Sequence, residues 1–241
     1  MLSPFDSIPA KQRVIVALDC SASEALALAD KLSGHATWLK IGMTLYYAEG
    51  PSIVEALKRR GFKVFLDLKF HDIPHQVGGA TASAVRSGAD MLTMHTVGGV
   101  AMMAAAQKAA EETANERQQP VPTTLGITVL TSMDDDALAA TGVQRSMTEQ
   151  VRTLALQAQS ASLSGVVASP QEASLLREVL GSQAFIVTPG VRPLGGEVGD
   201  QSRVATPAQA FAAGASHIVV GRPITQAADP VAAFEAITKG L

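Results

Sequence analysis

The feature that most constrains this chain is a repeat in its hydrophobicity. Short apolar, β-branched runs recur at residues 13–19, 38–43, 63–69, 91–96, 123–131, 165–169, 185–191 and 217–222, separated by Ala- and Leu-rich amphipathic stretches. Apolar runs of this length fit strands covered on both faces, and an intervening helix is the connection that lets successive strands lie parallel. Helix punctuation falls where that scheme needs it. Ser21 with Glu24 and Ser169 with Glu172 have capping-box spacing, Pro170 and Pro207 each follow a hydroxyl residue suited to an N-cap, and Gly34, Gly61, Gly181 and Gly214 stand where helices should stop. Eight βα units in 241 residues predict a single (β/α)8 TIM barrel, which typically needs ~250. A doubly wound open sheet would be built from fewer strands. No Pro- or Ser-rich linker interrupts the series, so residues 1–241 are expected to form one barrel domain.

Charge and composition exclude several classes of function. Nineteen Lys and Arg against 22 Asp and Glu give a net charge of -3 with no basic run, so no nucleic-acid partner is expected. No apolar stretch approaches the ~20 residues that span a bilayer. The first dozen residues lack the apolar segment of a signal peptide, and the one cysteine, Cys20, has no intramolecular partner, so the cytoplasm is the expected compartment.

In strands this apolar, the polar residues carry the information, and they gather at the carboxyl ends: Asp19, Lys40, Asp67, Lys69, His95, Thr131, Ser169 and Arg222. In a barrel that end holds the active site whatever the reaction. Alternation places Ile15, Ala17 and Asp19 on one face, Trp38 and Lys40 on one, and Phe65, Asp67 and Lys69 on one, with Leu66 and Leu68 turned towards the helices. Each charge alone could be a strand end fraying into water. Asp67 and Lys69, however, flank a leucine inside a buried-type strand, where unpaired charge is costly. Asp72 follows three residues beyond Lys69, and an alternating set of Lys40, Asp67, Lys69 and Asp72 suits an anionic reaction centre.

His71 and His95 show no metal-ligand spacing and the nearby carboxylates have lysine partners, so no metal is expected. Met102 and Met103 read as helix packing, and Cys20, Trp38 and His217 as structural residues. A phosphate signal is present at two places. Pro189 to Pro207 is a long segment containing Gly190, Gly195, Gly196 and Gly199, and Val220-Gly-Arg-Pro223 follows the last apolar run. Loops after strands seven and eight of a barrel commonly cradle phosphate, with glycine admitting close approach and arginine supplying a bidentate charge. A phosphorylated small molecule is the expected ligand.

The motifs Asp67-Leu-Lys-Phe-His-Asp-Ile-Pro74, Ala17-Leu-Asp19, Lys40-Ile-Gly42, Leu130-Thr-Ser132, Thr188-Pro-Gly-Val-Arg-Pro193, Gly199-Asp-Gln201 and Val220-Gly-Arg222 occur in this order. Together they closely resemble the orotidine 5'-phosphate decarboxylase family over essentially the whole chain. The resemblance implies a homodimer that converts orotidine 5'-monophosphate to uridine 5'-monophosphate and carbon dioxide without cofactor or metal. It places a catalytic tetrad on Lys40, Asp67, Lys69 and Asp72, with Asp72 reaching the neighbouring subunit's site. It further implies that Asp19 and Lys40 hold the ribose hydroxyls, Thr131 the pyrimidine edge, and Arg192, Gln201, Gly221 and Arg222 the phosphate end, with Ile73, Gln76 and Pro189 also against substrate. A segment from 190 to 203 would close over the site.

One departure is visible, because the family usually continues Ile-Pro-Asn-Thr where this chain has His75 and Gln76. Gln76 still donates and accepts hydrogen bonds, which predicts altered affinity with the chemistry intact. Two other functions remain open on these residues. Magnesium-dependent sugar-phosphate enzymes, the 3-keto-gulonate 6-phosphate decarboxylases and hexulose phosphate synthases, share Asp-x-Lys-x-x-Asp, although the His71-Asp72-Ile73-Pro74 continuation and the segment from Pro189 to Pro193 argue against them. A nucleotide-sensing barrel without catalysis would have no need of Lys69.

Overall fold

The structure, a computed structural model, describes residues 3–192, 205–239 and 241. Eight strands, β1 (Val14–Leu18), β2 (Trp38–Gly42), β3 (Lys63–Phe70), β4 (Met91–His95), β5 (Thr123–Ile127), β6 (Gly165–Val167), β7 (Phe185–Thr188) and β8 (His217–Val220), pair in parallel in sequence order. β8 closes on β1 through Val14↔Ile218, Ile15↔Val219 and Val16↔Val220, which makes the sheet a barrel. All eight expected runs are strands, and helices connect them. The structure is the (β/α)8 barrel that the repeat predicts.

Alternation sorts the strand residues into two layers. Ile15, Ala17, Trp38, Phe65, Met91, Leu125, Val187 and Val219 fill the barrel interior, whereas their neighbours Val16, Leu39, Leu66, Leu68 and Leu92 join the layer packed under the helices. Met102 and Met103 are fully buried in a second such layer, as expected of packing residues. The amino-terminal end of the barrel is covered by two 3-10 turns, Pro4–Ser7 and Ala10–Gln12, with the Phe5 ring edge-on to Phe185 at 4.8 Å. Beneath it the buried His217 ring stacks on Phe185.

The caps form as their sequences require. Ser21 with Glu24, and Ser169 with Glu172, make reciprocal capping boxes, and Thr206 caps the helix that opens at Pro207. Gly34, Gly61, Gly181 and Gly214 all have φ between 79° and 99°, a region where a side chain is strained. Among the described residues no helix is long and apolar enough to cross a membrane.

Several expected strand ends are shorter in the structure. β5 stops at Ile127 rather than continuing to 131, because the chain turns away from the sheet after Thr128 and Val129 are buried. β7 ends at Thr188, where Pro189 has no N–H for the ladder, and Val191 instead bridges Ala205. Ser169 lies beyond β6 with its hydroxyl spent on a helix cap, so it is a structural residue.

Candidate active site

The carboxyl ends of β1 to β3 bring Asp19, Lys40, Asp67 and Lys69 together. Lys40 Nζ lies 3.2 Å from Asp19 Oδ1 and 3.8 Å from Asp67 Oδ2, and Lys69 Nζ lies 2.8 Å from Asp67 Oδ2. In the β2–β3 register Lys40 is opposite Phe65 while Asp67 is opposite Gly42, so the Lys40 head must rise past Gly42 to reach the carboxylates. A Cβ at Gly42 would sit 3.2 Å from both Lys40 Nζ and Asp19 Oδ1. Glycine there leaves the room in which the ion pair forms.

Asp67 is the electrostatic centre of the array, with its side chain 13% exposed. Burial pushes its carboxyl up, but the ammoniums of Lys40 and Lys69, together with hydrogen bonds from Lys69 and Thr93, outweigh burial and hold it below the ordinary carboxylate range. The charged form is therefore the one the fold selects.

Lys69 reaches the mouth by a route that alternation does not describe. Between the pairs Leu66↔Leu92 and Phe70↔Met94, β3 advances four residues while β4 advances two, and Lys69 takes φ 53° in this irregular stretch. A left-handed backbone at a non-glycine residue costs on the order of 1–2 kcal/mol. Thr93 stabilises the kink, since its buried Oγ1 accepts the Lys69 backbone N–H at 2.9 Å and donates to Asp67 Oδ1 at 2.8 Å. Neither Thr93 nor Gly42 was expected as a site residue. The available signal was a hydroxyl at Thr93, two residues before His95 in a strand whose other residues are apolar.

Asp72 does not join this cluster within its own chain. It lies on an exposed stretch, residues 71–76, where its Oδ1 accepts the Ile73 backbone N–H at 2.6 Å, and among the described residues it makes no ion pair. The reason is that β3 ends at Phe70 and the following helix begins at Pro74, so the connection projects Asp72 outward with Ile73 and Gln76.

The remaining expected positions that the structure describes follow the carboxyl ends of β5, β7 and β8. Thr131 is half-buried in the turn after β5. Pro189 and Arg192 follow β7, where Arg192 N donates to Ala205 O at 3.0 Å, and Gln201 lies outside the described residues, as does most of the 190–203 segment. Gly221 joins β8 to the short helix Arg222–Thr225, and a Cβ on it would meet only Ala17 and Asp19 at 3.6 Å or more, so internal packing alone does not demand glycine. The rings of His71 and His95 lie 5.5 Å apart. Burial first, then the proximity of His71 and of Lys69, lower the His95 pKa against the opposing pull of Asp67. The described residues contain no group of three or more His, Cys, Asp or Glu placed to hold a metal.

A half-buried Lys-Asp-Lys array at the carboxyl mouth of a closed parallel barrel defines a (β/α)8-barrel enzyme. The chain belongs to the orotidine 5'-phosphate decarboxylase / HUMPS family, whose sequence model matches residues 12–237. Orotidine 5'-phosphate decarboxylase of Moorella thermoacetica is 50% identical over 232 residues, covering 95% of this chain and 91% of that protein. The enzyme of the same name from Alkalilimnicola ehrlichii is 49% identical over 230 residues, covering 95% and 96%. The crystal structure of orotidine 5'-phosphate decarboxylase from Lactobacillus acidophilus superposes with a TM-score of 0.83 at 38% identity, covering 95% of this chain and 98% of that one.

Proposed function

We propose that the protein converts orotidine 5'-monophosphate to uridine 5'-monophosphate and carbon dioxide in pyrimidine synthesis, without cofactor or metal, as a cytoplasmic homodimer with the whole chain as its catalytic domain. The observation that carries this reading is the Lys69 ammonium held 2.8 Å from an ionised, buried Asp67 beside Lys40. The names of the close relatives support the choice of substrate.

In the proposed step the bond from pyrimidine C6 to the carboxylate carbon breaks, carbon dioxide leaves, and the electron pair stays in an in-plane orbital that the ring does not delocalise. The Lys69 ammonium stabilises that charge and then transfers its proton to C6, and the resulting amine recovers a proton from water. Asp67 and Asp72 keep the lysine charged and aimed. Asp19 and Lys40 take the ribose hydroxyls, Thr131 the pyrimidine edge, and Arg192, Gln201, Gly221 and Arg222 the phosphate, with Ile73, Gln76 and Pro189 completing the surface. Binding energy from the remote phosphate would be used to organise the reacting end.

The dimer reading has its own support. Asp72 is turned away from its own cluster, and Ile73 beside it is 62% exposed, as are Met43, Tyr47, Val97 and Leu130 to 40% or more on the loops and helices that follow β2 to β5. An apolar rim of this kind fits a surface that a second copy covers while inserting its Asp72.

Loss of orotidine 5'-monophosphate absorbance on adding the protein, with and without excess EDTA, tests the reading. Turnover indifferent to EDTA and abolished in a folded Lys69→Ala variant is the expected result, and a magnesium requirement or no turnover refutes it. Mixing Lys69→Ala with Asp72→Ala should restore activity through hybrid dimers; no recovery despite subunit exchange refutes the shared site.

A further inference from the structure

Thr93 sits in the middle of β4, fully buried, and its hydroxyl joins the two groups on which the proposed chemistry depends. Oγ1 donates to Asp67 Oδ1 at 2.8 Å, the Lys69 backbone N–H donates to the same Oγ1 at 2.9 Å, and Lys69 Nζ donates to Asp67 Oδ2 at 2.8 Å. These bonds close a ring from backbone to hydroxyl to carboxylate to ammonium, so the lysine is held at both ends. It requires such a grip, because its φ of 53° lies where a residue with a Cβ is strained and the β3–β4 ladder has lost its register.

We infer that Thr93 is a positioning residue for the decarboxylation proposed above: it locks the kinked Lys69 backbone and fixes Asp67 as the counter-ion that aims the ammonium. The inference rests on Lys69 being the proton donor. A side chain of the same shape without the hydroxyl leaves the Lys69 N–H and Asp67 Oδ1 without this partner, and both then seek new geometry. Displacements of about 1 Å at a reacting group cost up to ~100-fold in rate.

The inference also predicts a titration signature. Asp67 faces Lys40 from β2, Lys69 from β3, and Thr93 with His95 from β4, while Asp19, just after β1, shares Lys40. The hydroxyl is one of the groups that hold the carboxyl low, so its loss moves the acid limb of kcat to higher pH. A residue that merely filled space would change the melting temperature and leave the limb in place.

The test is steady-state decarboxylation of orotidine 5'-monophosphate across the acid range, with thermal melts, for wild type, Thr93→Val, Thr93→Ser and Thr93→Cys. Thr93→Val should lose about 10- to 100-fold in kcat with KM changed less than about threefold, and its acid limb should rise. Thr93→Ser should restore both, and Thr93→Cys, with a weak S–H donor, should fall between them and carry the test if the valine variant does not fold. A folded Val or Cys variant with wild-type kcat and acid limb overturns the inference, as does failure of serine to rescue. An active wild type with an indifferent Thr93→Val overturns the role of Thr93 alone, whereas an inactive wild type overturns the decarboxylase reading as well.

Discussion

Replacing Asp67 by Asn removes one negative charge from between two ammoniums and changes little else in shape. In the wild type the carboxylate is 13% exposed, 2.8 Å from Lys69 Nζ and 3.8 Å from Lys40 Nζ, and it accepts the Thr93 hydroxyl. Burial opposes the charge, yet the net effect lowers the carboxyl pKa, so pairing outweighs desolvation in this pocket. Breaking a buried pair by removing one partner costs about 3–5 kcal/mol. Lys69 is 27% exposed and Lys40 retains Asp19 at 3.2 Å, which relieves part of that penalty. A loss of about 2–3 kcal/mol at neutral pH is therefore expected, or roughly 4–12 °C in melting temperature for a chain of this size.

The pH dependence supplies the sharper test. A carboxyl whose folded pKa lies below its unfolded value of ~3.9 contributes stability that is present above that value and is lost as pH falls through the folded pKa. Wild type and Asp67→Asn should therefore differ fully at neutral pH and converge in acid, as followed by urea titrations at several pH values. The partner variant Asp67→Asn with Lys69→Met should recover part of the loss, because the stranded ammonium is gone. An Asp67→Asn protein as stable as wild type at neutral pH would refute the reasoning, since burial rather than pairing would then govern the site.

Two further perturbations address the scaffold. Burial, reinforced by the cations of Arg13 and Lys63, pushes the His217 pKa down to about 3, so the folded state resists a proton that the unfolded chain accepts near ~6.5. Wild-type stability should fall by up to ~1.4 kcal/mol per pH unit through that window on this account, and His217→Phe should have a shallower acid slope in denaturant titrations; an unchanged slope counts against a neutral buried imidazole. At Gly165, where β6 pairs β7, a Cβ would collide with the Phe185 carbonyl oxygen and lie 2.6 Å from its carbon and 2.7 Å from its nitrogen. Gly165→Ala should cost about 3 kcal/mol or more because backbone must shift, and a melting temperature within ~2 °C of wild type would show that the strands part more easily than this packing implies.

Much of the fold could be read locally because strand and helix signals have short periods. Each apolar run became a strand, the Ser-Glu pairs became capping boxes, and the inward set of Ile15, Ala17, Trp38 and Phe65 followed from alternation alone. Strand ends were less legible. Apolar residues such as Val129 and Val191 are buried without belonging to the eight strands, and hydrophobicity does not distinguish burial in a ladder from burial in a turn.

Of the candidate site, the sequence by itself determined which residue types stand at the carboxyl ends of the strands, and that Asp67 and Lys69 lie two residues apart in one strand. Tertiary structure decided how they meet. The β2–β3 stagger sets Gly42 opposite Asp67 and so lets Lys40 reach it, the β3–β4 irregularity turns Lys69 through a left-handed backbone, and Thr93, 24 residues further along the chain, ties the kink to the carboxylate. It also turned Asp72 outward, away from Asp67 and Lys69 of its own chain. A period-two pattern is a property of a single strand. Register, stagger and cross-strand hydrogen bonds arise when eight tilted strands must close into one barrel, and no single segment encodes that closure.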